Sequence, residues 1–360
     1  MGGWDYTNVP KHYEVTEANR PALVKMLQNY FVDSPWATSI AIPFGTYDEN
    51  GNMISPPDTT NLDEWRKLWQ KARRYCVFVN VTKKLKNWEL GSPQFNRAVA
   101  EWAKFWDNYM KEVGLDPSQL IILLVDEPRE YSADKIISAW AKAIHESGSK
   151  IQIWEDPIYH DMNQALPEMI EQCDILCPNR QLFYSRGEEY RYFFINQRNN
   201  GKKLEFYSCS GPMRLLDPFA YCRLQAWDCW RYKAQATYFW AFADGAGASS
   251  WNEYLCPRNT YTPLFIDETS VYSGKHLESM REGIEDYEYL VMLDRAIKES
   301  KYSEEKQKQT EQFLNETVEK ILSIMPQKGL LFWRESKQPE TVNTARQQIL
   351  QTLLQFQTQP

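Results

Sequence analysis

The ten residues 121–130, IILLVDEPRE, carry five apolar side chains straight into two adjacent carboxylates, Asp126 and Glu127. Neighbouring acids can divide the labour of one reaction. One, kept protonated by an apolar wall, delivers a proton; the other stays ionised and steadies developing positive charge. Such a pair is best used at the carboxyl end of a parallel strand, where the loops of α/β barrels build their sites. Adjacent strand residues start on opposite faces, so both reach one pocket only if a twist or bulge ends the strand. Asp-Glu-Pro is also good helix-start chemistry, with proline in the first turn and acids at the positive end of the dipole. Spacing alone leaves both uses open.

A retaining glycosidase with an enzymic nucleophile needs a second carboxylate about 5 Å from its acid, commonly on another strand. The run at 204–210 ends Tyr207-Ser208-Cys209-Ser210, and its one acid, Glu205, lies at the wrong end. Substrate-assisted hydrolysis fits better. There the 2-acetamido group of an N-acetylhexosamine attacks its own anomeric carbon, and a carboxylate orients and charge-stabilises the amide nitrogen. Two alternatives stay open: an inverting glycosidase pairing Glu127 with Asp244 or Glu155, and a glycan-binding barrel that does not turn substrate over. Other strand ends offer Asp5 and Tyr6, Asn80, Trp154 with Glu155 and Asp156, Asn179 with Arg180, Tyr207, Trp240 and Asp244. Of these, Asn80, Trp154, Asn179, Tyr207, Trp240 and Asp244 are the candidate sugar contacts, with Trp154 and Trp240 as apolar walls for Glu127. Asp156 and His160 read as polar loop residues. Four histidines, two of them (His145 and His276) within predicted helices, leave little for a nucleophilic hydrolase or a His-based metal site. No cofactor or metal is expected.

The elements that must position these groups alternate regularly. Strand-like runs fall at 4–7, 38–43, 76–81, 120–128, 151–156, 174–179, 204–210 and 237–243. Helical patterns lie between them, as at 17–32, 62–75, 95–113, 132–146 and 218–233. In the third of these, Phe95, Val99, Trp102, Phe105, Trp106 and Met110 recur at helical spacing and predict a buried face. Continuous apolar runs such as IILLV are typical of parallel strands covered on both sides. Eight such units predict an α/β fold, a (β/α)₈ TIM barrel over residues 1–275, with additional C-terminal helices over 276–360 packed on it. A doubly wound open sheet is the structural alternative, but no GxGxxG follows a strand.

Composition narrows the partners. The 360 residues are 43% hydrophobic and carry a net charge of −7, which suits a globular chain and disfavours nucleic acid. Aromatics make up 14%, with 14 Trp and 21 Tyr, residues suited to stacking on and hydrogen-bonding sugars. Seven cysteines without paired CxxC spacing indicate neither a disulfide framework nor a zinc site. No run has the apolar length of a membrane helix, and MGGWDYTN lacks signal-peptide character. A secreted or periplasmic location would require a leader already removed; otherwise the cytoplasm is expected. Oligomeric state is not legible.

Three stretches together carry a resemblance: LIILLVDEP, RLQAWDCWRYKAQATYFWAFADGAGASSWNEY at 223–254, and HLESMREGIEDYEYLVMLDRA at 276–296. They resemble the catalytic domain of glycoside hydrolase family 123 and the allied domain of unknown function 4091. The resemblance implies a retaining β-N-acetylgalactosaminidase, with Asp126 orienting the acetamido group and Glu127 as general acid/base. It also implies Trp240 and Trp251 near the sugar. Arg281, Glu282, Asp286 and Tyr287 look structural, since Arg281 and Glu285 stand one helical turn apart and can pair. Family members usually carry a β-sandwich ahead of the barrel; either that domain lies outside this sequence or the chain is a barrel-only relative.

Overall fold

The computed structural model describes residues 2–3, 14–209, 215–243, 249–251, 262–323 and 339–357. Its strands are β1 (Gly2–Gly3), β2 (Trp36–Thr38), β3 (Tyr75–Phe78), β4 (Leu120–Leu123), β5 (Gln152–Glu155), β6 (Ile175–Leu176), β7 in two stretches (Lys203–Leu204 and Phe206–Ser208) and β8 (Thr237–Phe239). Helices follow them: α1 (Arg20–Asn29), α2 (Thr60–Leu68), α3 (Pro93–Glu112), α4 (Tyr131–Glu146), α5 (Pro167–Gln172), α6 (Arg180–Ser185), α7 (Gly187–Asn199), and α8 (Leu224–Tyr232) after a π-helical turn at Pro218–Arg223. The C-terminal helices are α9 (Lys275–Glu299), α10 (Glu304–Leu322) and α11 (Pro339–Gln357).

Every pairing among these eight strands is parallel, and from β2 to β8 neighbours in the sheet are neighbours in the chain. β1 pairs with β8, through Gly2 opposite Tyr238 and Gly3 opposite Phe239, so the first strand lies beside the last. The protein is therefore α/β with a parallel sheet. Pairing of β1 with β2 is not recorded among the described residues.

Alternation along the strands separates two apolar sets. Trp36, Cys76, Ile121, Leu123, Trp154, Ile175, Cys177, Tyr207 and Tyr238 form one compact cluster drawn from β2 to β8 or their immediate ends. Trp36 lies 4.9 Å from Trp154 and 5.9 Å from Tyr238 between ring centroids, so β2 meets both β5 and β8 across a curled sheet. Val77, Ile122, Leu124, Ile153, Leu176, Phe206 and Phe239 point the other way, into the layer beneath the helices. β4 shows why the run is wholly apolar: all four residues are buried, covered on both faces. The amino-terminal end of the interior is polar. Arg74 pairs there with the fully buried Glu205, which also accepts the Trp154 indole N–H at 3.0 Å.

α3 starts where Ser92 accepts the Phe95 amide at 3.3 Å and Pro93 opens the first turn. It buries Phe95, Val99, Trp102, Trp106 and Met110 of the predicted stripe and leaves Phe105 half-buried. The run expected as strand at 38–43 is displaced. The strand is Trp36–Thr38, and Ser39–Ala41 forms a 3₁₀ turn, with the Ile42 amide bonded to the Ser39 carbonyl and Ile40 48% exposed. An apolar side chain left in water cannot hold a buried-strand register. The run at 4–7 lies outside the described residues, and short hairpins (46–47 with 53–55, 84–85 with 88–89) occupy loops where no strand was expected.

α9 packs against the 218–223 turn so closely that a Cβ at Gly283 would stand 2.3 Å from the Arg223 carbonyl oxygen. Buried Arg223 pairs with Asp286 at 2.7 Å and with Glu282 at 3.1 Å. Asp286 also accepts the Trp227 indole N–H at 2.9 Å and pairs with Arg346 of α11. Arg281 pairs with Glu285 one turn along, as its spacing predicts. Among the described residues no helix is long and apolar enough to cross a membrane.

Candidate active site

Continuing the inward alternation past the ends of β3 and β5 to β8 brings one residue from each to the carboxyl rim. Cys76 and Phe78 lead to Asn80, Trp154 to Asp156, Ile175 and Cys177 to Asn179, Glu205 to Tyr207, and Tyr238 to Trp240, whereas β4 bends after Leu123 and delivers Glu127. Two direct bonds tie this rim together at Glu127. The Tyr207 hydroxyl donates to Glu127 Oε1 at 2.6 Å, and the Glu127 amide donates to Asp156 Oδ1 at 2.9 Å. Thus β4, β5 and β7 converge on one residue, Glu127.

Asp126 follows Leu124 and Val125, both packed in the outer layer, so the alternation of β4 ends before the pair. Glu127 has φ +45°, a left-handed conformation uncommon outside glycine. The charge of Glu127 acts on its neighbour Asp126. Burial first, then the Glu127 charge, push the Asp126 carboxyl up to about 6. Asp126 as a whole residue is nevertheless exposed to solvent.

Asp156 is 3% exposed. Burial, followed by the charges of Asp126 and Glu155, holds its carboxyl well above the usual range, and the Glu127 amide only partly offsets this. The Tyr207 hydroxyl is pushed up by burial and then by the charges of Asp156 and Glu127, so it is a committed donor. Asn179 serves two neighbours. Its side chain accepts from the amides of Gln181 and Leu182 at 3.0 and 3.2 Å, capping α6, and also hydrogen-bonds Tyr207.

The other expected residues fall unevenly. Trp240 is half-buried beside β7, its amide bonded to the Ser208 carbonyl at 3.1 Å. Asn80 is exposed with φ +54°. Trp251 is 55% exposed and rests on the Leu264–Ile266/Val271–Ser273 hairpin, 5.0 Å from Phe265 and 5.6 Å from Tyr272. Asp244, Asp5 and Tyr6 lie outside the described residues. Two expectations need correction. Trp154 is not a rim wall: it is 3% exposed in the interior and its indole reaches down to Glu205. Glu155 is not a base facing the rim. It is fully buried on the outward face, accepts the Leu124 amide at 3.0 Å and has Asp134 and Cys173 in its field.

Asp156, which by sequence suits a polar loop at the end of the fifth run, stands at this rim. The signal was present, because Asp156 shares the parity of Trp154 while Glu155 does not. Among the described residues no three or more His, Cys, Asp or Glu side chains are grouped to hold a metal ion. What the arrangement offers is proton transfer at Glu127, a negative charge at Asp126 and a hydroxyl donor between strands.

No protein-family model matches this sequence, and no curated protein matches it. Solved structures do. An endoglucanase of broad specificity of family GH5-4 from Ruminococcus champanellensis, with bound cellotriose, aligns over 72% of this chain and 85% of its own at 9% identity and TM-score 0.45. A family 123 glycoside hydrolase from Clostridium perfringens, described for glycolipid glycan hydrolysis, aligns over 99% of this chain and 69% of its own, at 14% identity and TM-score 0.66. The chain has the fold of a family 123 glycoside hydrolase.

Proposed function

We propose that this protein is a glycoside hydrolase that releases β-linked N-acetylhexosamine, galacto-configured, with retention and by substrate assistance. The observation that carries the reading is the bonded Glu127–Tyr207 contact beside Asp126, in a sheet whose seventh strand brings a tyrosine rather than an acid to the rim. A displacement by an enzymic carboxylate would require a second acid about 5 Å from the first. We further propose that the curled sheet closes as a (β/α)₈ barrel, β1 bridging β8 and β2, which would make this rim the mouth of the barrel.

In the first step the acetamido carbonyl oxygen attacks the anomeric carbon while the glycosidic C–O bond breaks. Glu127 delivers its proton to the departing oxygen, and Asp126 orients the amide N–H and offsets the positive charge of the oxazolinium ring. In the second step water attacks the same carbon, Glu127 takes its proton, and the ring opens to the free sugar. Trp240 and Asn80 would contact the sugar. Asn179 acts through Tyr207.

The test is turnover of a panel of nitrophenyl β-N-acetylhexosaminides by the wild type, Glu127→Gln and Asp126→Asn, with NMR of the first-formed anomer. The expected result is release of the β-anomer and a loss of about 10²- to 10⁴-fold in each variant. Variants as active as the wild type, or an inverted first product, would overturn the reading. Glycan binding without turnover, unchanged by Glu127→Gln, would instead mark a lectin-like protein.

A further inference from the structure

We propose that Asp156 is the positioning residue of this site: by accepting the Glu127 amide it holds that residue left-handed and so swings its carboxylate across the rim onto Tyr207. The inference deepens the functional reading above and rests on it for its kinetic arm only. The geometry is local and complete. Glu127 sits at φ +45°, where an L side chain is strained and persists only if its surroundings over-determine it. Two bonds do so, one at each end of the residue: the amide to Asp156 Oδ1 at 2.9 Å, and Oε1 to the Tyr207 hydroxyl at 2.6 Å. Removing the first leaves the backbone free to relax to negative φ, which would carry the carboxylate away from β7.

Asp156 is suited to hold rather than to react. It is 3% exposed, and the groups in its field are Asp126 and Glu127 at the end of β4, Glu155 on β5, Cys177 beyond β6, Tyr190 on α7 and Tyr207 on β7. Burial and the charges of Asp126 and Glu155 raise its carboxyl, while its Oδ1 accepts the Glu127 amide. Asparagine keeps an acceptor oxygen at that place and carries no charge.

Crystal structures and kinetics of Asp156→Asn and Asp156→Ala test the idea, with Asp156→Ser beside them should the alanine variant not fold. In the alanine and serine variants Glu127 is expected to return to negative φ and to lose Tyr207. Their kcat should fall about 100-fold with KM within about threefold, whereas the asparagine variant keeps the geometry and most of the rate. An alanine or serine variant that keeps the left-handed Glu127 and its bond to Tyr207 overturns the proposal. So does an asparagine variant that displaces Glu127 as alanine does. If Glu127 moves as expected but even the wild type turns over nothing in the panel, the positioning stands and the proposed reaction falls.

Discussion

Asp126 makes the sharpest residue-scale prediction, because the substrate-assisted step needs it ionised and its surroundings oppose ionisation. With its carboxyl pushed up to about 6 by burial and by Glu127, kcat/KM should fall as the pH drops through about 6. Asp126→Asn should lower activity and erase that acidic limb; a limb near 4 in the wild type would show Asp126 to be an ordinary exposed acid. Tyr207→Phe removes a donor to a reacting carboxylate and should reduce kcat/KM about tenfold or more, measured in the same profile. At this scale the Asp126-Glu127 pair was visible because it ends a plain apolar run, and Tyr207 because it opens the polar end of the 204–210 stretch. The sequence did not separate Glu155 from Asp156. That choice depends on strand register, and Trp154, whose aromatic character suggested a rim wall, is set by its indole bond to Glu205.

At the scale of elements, β5 carries Glu155 outward into the layer under the helices, an acid with one oxygen bonded to the Leu124 amide and Oε2 buried without a partner. Burial holds its carboxyl well above the usual range. The folded state therefore keeps a proton that the unfolded chain releases near pH 4, and stability falls as pH rises from there through the folded-state value. Glu155→Gln should raise Tm relative to the wild type at pH 8, by about 2 °C or more, and the gain should shrink toward pH 5. A constant difference by calorimetry would show that the proton is not involved. Gly283 gives a second test. Helix propensity alone favours alanine by about 1 kcal/mol, yet the approach of the Arg223 carbonyl leaves no room for a Cβ. Gly283→Ala should cost about 1–3 kcal/mol in urea unfolding. The long helices were legible because a 3.6-residue stripe survives over 20 to 25 residues. Strands of two to four residues carry too little alternation to fix their ends, and the 38–43 run missed its strand for that reason.

For the whole molecule, the eightfold alternation was legible because each unit repeats the same burial logic; what fastens the C-terminal helices was not, because a buried ion pair between distant segments leaves no local pattern. Arg281 and Glu285 pair within one helix and could be read from spacing, whereas Asp286, one residue on, gathers Arg223, Trp227 and Arg346 from three elements. Arg223 and Asp286 are each 1% exposed, so neither charge has water to fall back on. Removing Asp286 takes away the anion that Arg223 and Arg346 share and, among the described residues, leaves buried Arg223 only Glu282, and breaking a buried pair from one side costs about 3–5 kcal/mol. Asp286→Ala should therefore lower the unfolding free energy extrapolated from urea by up to that much. If α9 to α11 unfold together with the sheet, tryptophan fluorescence and far-UV circular dichroism should still report one coincident transition. Two separated transitions, with the sheet unmoved, would make residues 276–360 an independent unit. Arg223→Met combined with Asp286→Leu should recover much of the loss, because replacing both charges by apolar groups removes the desolvation cost that the pair itself only offsets.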